Sequence, residues 1–164
     1  MTAGAGTWSL GPHDLARLDQ LLRSFLDETK AHCVLLLDRT GHILTTAGDG
    51  AGLDRMAIAS LAAADFAASG QLAVLLGEEE FTSLYHHGTR RSMYLVDLAG
   101  QAILAALFDG RTTLGMVRLK TRNMVPAFAS LFAGLASRGP YPGTPLDASW
   151  AEEAVGEIDR LFAE

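Results

Sequence analysis

The pattern of apolar and polar positions divides the chain into helices and short strands. A first helix is predicted from about Pro12 to Lys30, because proline suits a first helical turn and leucines then recur at helical spacing. The run "CVLLL", the turn "DRTG" and the run "HILTTA" come next. They predict a β-hairpin, in which Gly41 is available for a positive φ.

A long segment rich in alanine and leucine predicts a central helix from about Leu53 to Leu76, because both residue types favour helix. Three strand-like runs follow, "FTSLYHH", "RSMYLVDL" and "QAILAALF", and "GT" and "AG" between them are hairpin signals. Another helix is predicted from about Thr113 to Ser137, and Pro126 is expected to kink or split it. The order α-β-β-α-β-β-β-α with short connections predicts an α+β fold, a five-stranded antiparallel sheet with helices on its faces.

A tail follows this domain, which is expected to span residues 12–138. Residues 1–11 are small and Gly-rich and are expected to be flexible. Residues 139–148 contain three prolines and predict a linker. Residues 149–164 predict an amphipathic helix, because Ser149 and Glu152 fit a capping box and Trp150, Ala154, Ile158 and Leu161 recur at helical spacing. A helix of about four turns is marginal alone in water, so its apolar face is expected to dock on something.

Composition and charge restrict the class of protein. The chain has 164 residues, 49% of them apolar, and a formal charge of −6. A globular domain is expected, and the negative charge argues against non-specific binding to nucleic acid or anionic membranes. No unbroken apolar run approaches the roughly 20 residues that span a bilayer, and the first residues lack the features of a signal peptide. With a single cysteine, Cys33, a cytoplasmic location is the default expectation.

The candidate chemical motifs favour structural interpretations. In "GDGAG", Leu53 occupies the third glycine position of a dinucleotide fingerprint, and the chain has no phosphate-binding Gly-Lys-Ser/Thr motif. His86 and His87 are adjacent on a strand and should point to opposite faces, so they are not expected to hold one metal ion. Arg111 is either an arginine finger for a GTPase or, as we favour, a structural arginine. Neither a catalytic set, a cofactor nor a metal is expected.

The central helix is apolar on more than one face, which predicts a second packed surface. One set of positions is expected to face the chain's own sheet: Leu61, Ala64, Ala68, Leu72 and Leu75. The positions on the other faces are also small or apolar: Ala59, Ala63, Ala67, Gly70 and Val74. We favour a protein–protein interface on this helix, and deep burial within one domain is the alternative.

Several segments together resemble the MglB-type branch of the Roadblock/dynein light chain family. They are "VLLLDRTGHILTTAG", "ASLAAADFAASGQLAVLLGE", "FDGRTTLGMVRLK" and the final "IDRLFAE". The resemblance implies the Roadblock fold and a homodimer formed through the central helix and joined sheet edges. One departure is Ala64-Asp65, where related central helices usually read Gly-Asn.

The resemblance also implies a partner, a Ras-like small GTPase of the MglA type in its GTP form. The expected activity is that of a GTPase-activating protein in cell polarity and gliding motility, located in the cytoplasm with enrichment at a cell pole. The GTPase-binding residues implied on the central helix are Ala63, Ala67, Ala68 and Gln71. Those implied on the tail are Ile158, Leu161 and Phe162. The alternatives are a tail that folds back on its own dimer, an adaptor that binds a GTPase without stimulating it, and a small-molecule sensor.

Overall fold

The computed structural model of the chain describes residues 10–138. The predicted linker, the predicted C-terminal helix and the N-terminal segment before Leu10 lie outside the described residues. The elements are α1 (Pro12–Thr29), β1 (Cys33–Asp38), β2 (Ile43–Gly48), α2 (Arg55–Leu75), β3 (Ser83–His87), β4 (Ser92–Leu98), β5 (Ala102–Phe108) and α3 (Leu114–Arg138). This order confirms the predicted α-β-β-α-β-β-β-α arrangement.

The five strands form one antiparallel sheet in the order β2-β1-β5-β4-β3. The central strand β5 is buried along its whole length, as its continuous apolar sequence requires. The edge strands β2 and β3 are only partly buried. Within residues 10–138 each edge strand pairs with a single neighbour, which leaves the other side of its backbone open.

Alternate residues of the central strands point into two separate hydrophobic clusters, one on each face of the sheet. On one face, Val34 and Leu36 of β1 pack with α1 and α3. On the other face, Leu35 and Leu37 of β1 pack against α2. Among the described residues, the sheet is therefore covered on both faces, by α1 and α3 on one side and by α2 on the other.

Pro126 was expected to kink or split the helix, and helix α3 runs through it as one element, so the proline does not split the helix. Val117 before the proline and Phe128 after it are both fully buried in the cluster shared with α1. Burial on both sides of Pro126 holds both halves of the helix against the same hydrophobic cluster. Pro126 itself is exposed, so the ring and the backbone bond it removes lie on the outer side of the helix.

The prediction of which face of α2 meets the sheet was also wrong. The buried residues of this helix are Ala59, Ala62, Ala63, Phe66, Ser69 and Ala73. Leu61, Leu72 and Leu75, which were expected to face the sheet, are exposed. Small side chains bring the helix backbone close to the sheet, and Phe66 fills the space between them.

Helix α2 is long enough and apolar enough to cross a membrane, judged by its length and composition alone. The same test is passed by helices that pack in the core of a soluble protein. Helix α2 packs on the sheet through Ala59, Ala62 and Phe66. Its composition is therefore weak evidence for a membrane span.

Candidate functional site

Local signals fix both ends of α2. Asp54 caps the N-terminus, and its side chain accepts a hydrogen bond of 3.0 Å from the backbone N–H of Ala57. At the other end, the N–H of Gly77 donates to the carbonyl of Val74, and Gly77 has a φ of +78°. The helix thus begins and ends within two residues of the predicted positions.

The turn between β1 and β2 packs directly on α2. Gly41 in this turn has a φ of +91°, and a Cβ atom placed there would lie 3.0 Å from the Cα atom of Ser60. Both the positive φ and the close approach require glycine. The turn is therefore in direct contact with the backbone of α2.

The same turn is held together by the carboxylate of Asp38. Burial opposes the charged form, but hydrogen bonds from Thr40 and His42 outweigh it and lower the pKa of Asp38 below its ordinary value. The backbone N–H groups of Thr40 and His42 donate to Asp38 Oδ1 at 2.8 and 2.9 Å. The ionised carboxylate therefore stabilises the turn on which α2 rests.

The surface of α2 that faces away from the sheet is apolar. Six of the ten large apolar side chains that are exposed among residues 10–138 belong to α2 or follow it directly. They are Met56, Leu61, Leu72, Val74, Leu75 and Leu76. We call the stripe formed by Leu61, Ala64, Ala68, Leu72 and Leu75 the outer face of α2. An exposed apolar patch of this kind marks an interaction site, because isolated soluble domains seldom leave one uncovered.

Polar contacts border the outer face and tie α2 to the sheet. His86 Nε2 on β3 lies 2.6 Å from Asp65 Oδ2 on α2. Beneath the helix, the guanidinium of Arg39 lies 5.5 Å from the centre of the buried Phe66 ring and forms an ion pair with Asp97. The contact of Asp65 with His86 places the edge strand β3 beside α2.

The residues predicted to bind a GTPase divide into two groups in this structure. Ala63 is 5% exposed and packs in the cluster beneath α2, so its side chain points to the sheet and not to the surface. Ala67, Ala68 and Gln71 are exposed on the side of α2 away from the sheet. Their role in binding stays a prediction. The tail residues Ile158, Leu161 and Phe162 lie outside the described residues.

Arg111 is engaged within its own domain. Its Nε atom donates to Asp109 Oδ1 at 2.9 Å, and its Nη2 atom lies 2.9 Å from His32 Nδ1. The hydrogen bond from Arg111 lowers the pKa of Asp109, and the same bond raises the pKa of Arg111. These contacts agree with the structural interpretation of Arg111.

The two adjacent histidines point to opposite faces, as predicted. His86 reaches Asp65 on the α2 side, whereas His87 Nδ1 lies 3.0 Å from the Tyr85 hydroxyl. Within residues 10–138, no three His, Cys, Asp or Glu side chains are grouped to hold a metal ion.

From the sequence, the leucines of α2 were expected to lie against the sheet, whereas the structure exposes them. Leu61, Leu72 and Leu75 follow helical spacing, but so do the alanines that are buried. The available signal was size, because a helix that lies close to a sheet needs small residues beneath it.

The fold and this surface define a class of protein. Residues 17–108 match the sequence model of the Roadblock/LC7 domain, and the chain belongs to this family. Proteins of the family are regulators and adaptors and are not enzymes in themselves. A comparison with curated protein sequences finds no match.

Among solved structures, the chain is similar to proteins called MglB. The MglB of Myxococcus xanthus is 30% identical, with 77% of this chain and 96% of that chain covered and a TM-score of 0.72. The gliding protein MglB of Thermus thermophilus is also 30% identical, with the same coverage and a TM-score of 0.71. A structure described as MglB with a tetrameric arrangement is 30% identical over 77% of this chain and 95% of that chain, with a TM-score of 0.72.

Proposed function

We propose that this chain is an MglB-type, homodimeric GTPase-activating protein for a Ras-like small GTPase of the MglA type in its GTP form. The observation that carries the proposal is its 30% identity to two named MglB proteins over 77% of the chain. The proposed setting is cell polarity or gliding motility, in the cytoplasm with enrichment at a cell pole. The Thermus relative is itself described as a gliding protein.

The proposed dimer forms through the outer face of α2. Leu61 is 69% exposed and Leu75 is 81% exposed in the single chain. A second copy of α2 would cover both side chains and remove them from water. In a two-fold symmetric dimer the same leucine of both copies is buried, so each position contributes twice to the free energy of association. The open edge of β3 lies beside this face and offers backbone hydrogen bonds for joining two sheets.

The proposed mechanism is positioning of the GTPase's own catalytic groups. No arginine or lysine occurs in α2 after Arg55, which begins the helix, so this helix supplies no cation for insertion beside a nucleotide. Arg111 is held by Asp109. The transition state of phosphoryl transfer is stabilised when charged groups and the attacking water are aligned, and a partner can promote this without inserting a side chain.

The second candidate is an adaptor that binds the GTPase without stimulating it. Asp65 favours this candidate, because it adds a carboxylate to the face of α2 and holds His86 at 2.6 Å. A carboxylate at this position changes the charge presented to a partner. The adaptor and the activator differ in turnover and not in binding.

The test is GTP hydrolysis by the MglA-like GTPase of the same organism, alone and with this protein at saturating concentration. The full chain is compared with the chain ending at Arg138 and with the variants Ala68→Asp and Arg17→Glu. Arg17 is exposed on α1, distant in the fold from α2, and serves as the control. We expect the full chain and Arg17→Glu to accelerate hydrolysis by about ten-fold or more, equivalent to about 1.4 kcal/mol, and Ala68→Asp to fail.

Binding to the GTP form with unchanged hydrolysis would assign the chain to the adaptor class. Absence of both binding and acceleration would overturn the proposed partner.

A further inference from the structure

A groove lies on the face of the sheet that α1 and α3 cover. It runs between the first half of α3 and the strands β3 and β4 at one edge of the sheet. Its apolar lining includes Tyr94 and Val96 from β4 and Leu119 and Val125 from α3. Leu119 is 45% exposed, so this part of α3 leaves apolar surface in contact with water.

Two arginines supply the free charge of this groove. Arg118 and Arg122 line it, both are exposed, and neither forms an ion pair with any residue between 10 and 138. Asp97 also lines the groove, but its carboxylate is already paired with Arg39 and accepts a hydrogen bond from the N–H of Gly100. The groove is therefore apolar at its base and positive along one side.

We propose that this groove is the docking site of the chain's own C-terminal segment, residues 149–164. That segment carries five acidic side chains and one arginine, and its apolar residues recur at helical spacing. An acidic amphipathic helix matches an apolar groove with a positive rim. The proposal concerns the chain by itself and does not depend on a GTPase.

The spacing of the charges sets the register in which the tail would lie along α3. Arg118 and Arg122 are four residues apart on α3, so their side chains are one helical turn apart. Glu153 and Glu157 have the same spacing in the tail. A tail that reverses direction after α3 runs antiparallel to it, which sets Glu153 beside Arg122 and Glu157 beside Arg118.

The chain between α3 and the tail is long enough for this reversal. Helix α3 ends at Arg138, so the distance back to Arg122 along the helix is about 24 Å. Residues 139–148 span up to about 33 Å when extended. Such a short tether holds the tail at an effective concentration of about 1 mM. A groove with a Kd of about 0.1 mM for the free segment is then occupied about nine-tenths of the time.

The first test uses the fluorescence of Trp150 in the full chain. The chain has two tryptophans, and the substitution Trp8→Phe leaves Trp150 as the reporter. Quenching by acrylamide, which is uncharged, measures the exposure of Trp150. We expect Arg118→Glu with Arg122→Glu to weaken docking about ten-fold and raise the quenching constant up to about five-fold. Adding Glu153→Arg and Glu157→Arg should restore the protection.

The control is Arg17→Glu, an exposed change of the same charge on α1, which should leave quenching unaltered. If Trp150 is equally quenched in every variant and as strongly as in unfolded chain, the tail is undocked and the proposal is wrong. If Trp150 is protected but indifferent to Arg118 and Arg122, the tail lies on another surface, and the groove is excluded.

The second test shows whether the tail docks in the groove of its own chain or in the groove of a second copy. Leu119→Cys with Ile158→Cys places one thiol in the groove and one in the tail, while Cys33 is fully buried and does not compete. Oxidation followed by non-reducing electrophoresis should give a disulfide within one chain, seen as a monomer band that migrates faster than the same band after reduction. A product of doubled mass would show that the tail reaches a second copy, contrary to the proposal.

Discussion

Shortening one leucine on the outer face of α2 tests the dimer directly. Leu61→Ala removes an apolar side chain that is 69% exposed in the single chain and would be covered in a dimer. Complete burial of a leucine contributes about 1.5–3 kcal/mol, so the exposed share of Leu61, less the Cβ that alanine keeps, corresponds to about 1–1.5 kcal/mol. Two-fold symmetry doubles this to about 2–3 kcal/mol, which weakens the dimer roughly 30- to 150-fold.

Sedimentation equilibrium over a range of protein concentrations measures this dissociation constant. The control is Leu15→Ala, because Leu15 is 38% exposed on α1, which lies on the opposite face of the sheet. We expect Leu15→Ala to leave the dimer within about two-fold of the parent protein. Equal dissociation constants for Leu61→Ala and the parent would refute the assignment of the interface to this face.

A matched change on the inner side of α2 should behave in the opposite way. Phe66 is 5% exposed and packs beneath the helix, so Phe66→Ala should lower the free energy of unfolding by about 3–5 kcal/mol. Leu61→Ala should change the unfolding of the monomer by no more than about 0.5 kcal/mol, because its side chain is already in water. Urea denaturation, at protein concentrations low enough for the chain to be monomeric, measures the free energy of unfolding without a contribution from the dimer. Similar losses for both variants would contradict the orientation of α2.

Three further changes test the frame beneath the site, each by urea denaturation. Gly41→Ala should destabilise the fold by about 2 kcal/mol or more, since it adds a clash with α2 to the cost of a positive φ. The control is Gly52→Ala, where φ is +73° and the space is open, so only the cost of the positive φ, about 1 kcal/mol, is expected. Equal losses of stability for the two variants would refute the close approach of Gly41 to α2. Thr29→Val should cost about 1–2 kcal/mol, because the buried Thr29 hydroxyl donates to the carbonyl of Phe25 at 2.7 Å, and an unchanged stability would contradict that bond. The lowered pKa of Asp38 contributes stability above its unfolded pKa that is lost as the pH falls through its folded pKa; Asp38→Asn should remove this part of the acid dependence, and an identical pH profile would contradict it.

The order of elements could be predicted because each boundary has a local signal. Pro12 begins α1, Gly41 and Gly100 lie in hairpin turns with positive φ, and Gly77 follows the end of α2. Strand pairing then followed from short connections, which favour antiparallel neighbours. These signals depend on a few consecutive residues, so the sequence alone contains them.

The orientation of α2 could not be predicted in the same way. Alanine and leucine occur on every side of this helix, so there is little polar contrast to mark a surface. The face is decided by how closely the backbone can approach the sheet, which favours Ala59 and Ala62 over Leu61. The continuity of α3 through Pro126 could not be predicted either, because packing on both sides of the proline overrides the local preference against proline in a helix.

The contact between Asp65 and His86 joins residues 21 positions apart and appears only when β3 and α2 come together. Asp65 and His86 each drew notice separately, but no spacing pattern in the sequence links one to the other.

Single-turnover GTP hydrolysis by the MglA-like GTPase of the same organism is the measurement that tests the central claim most directly. The GTPase is loaded with GTP, and the rate is followed as this protein is added to saturation. An activator raises the rate by about ten-fold or more, with saturation near a fixed ratio of the two proteins. A rate that stays constant while the two proteins bind each other would contradict GTPase activation.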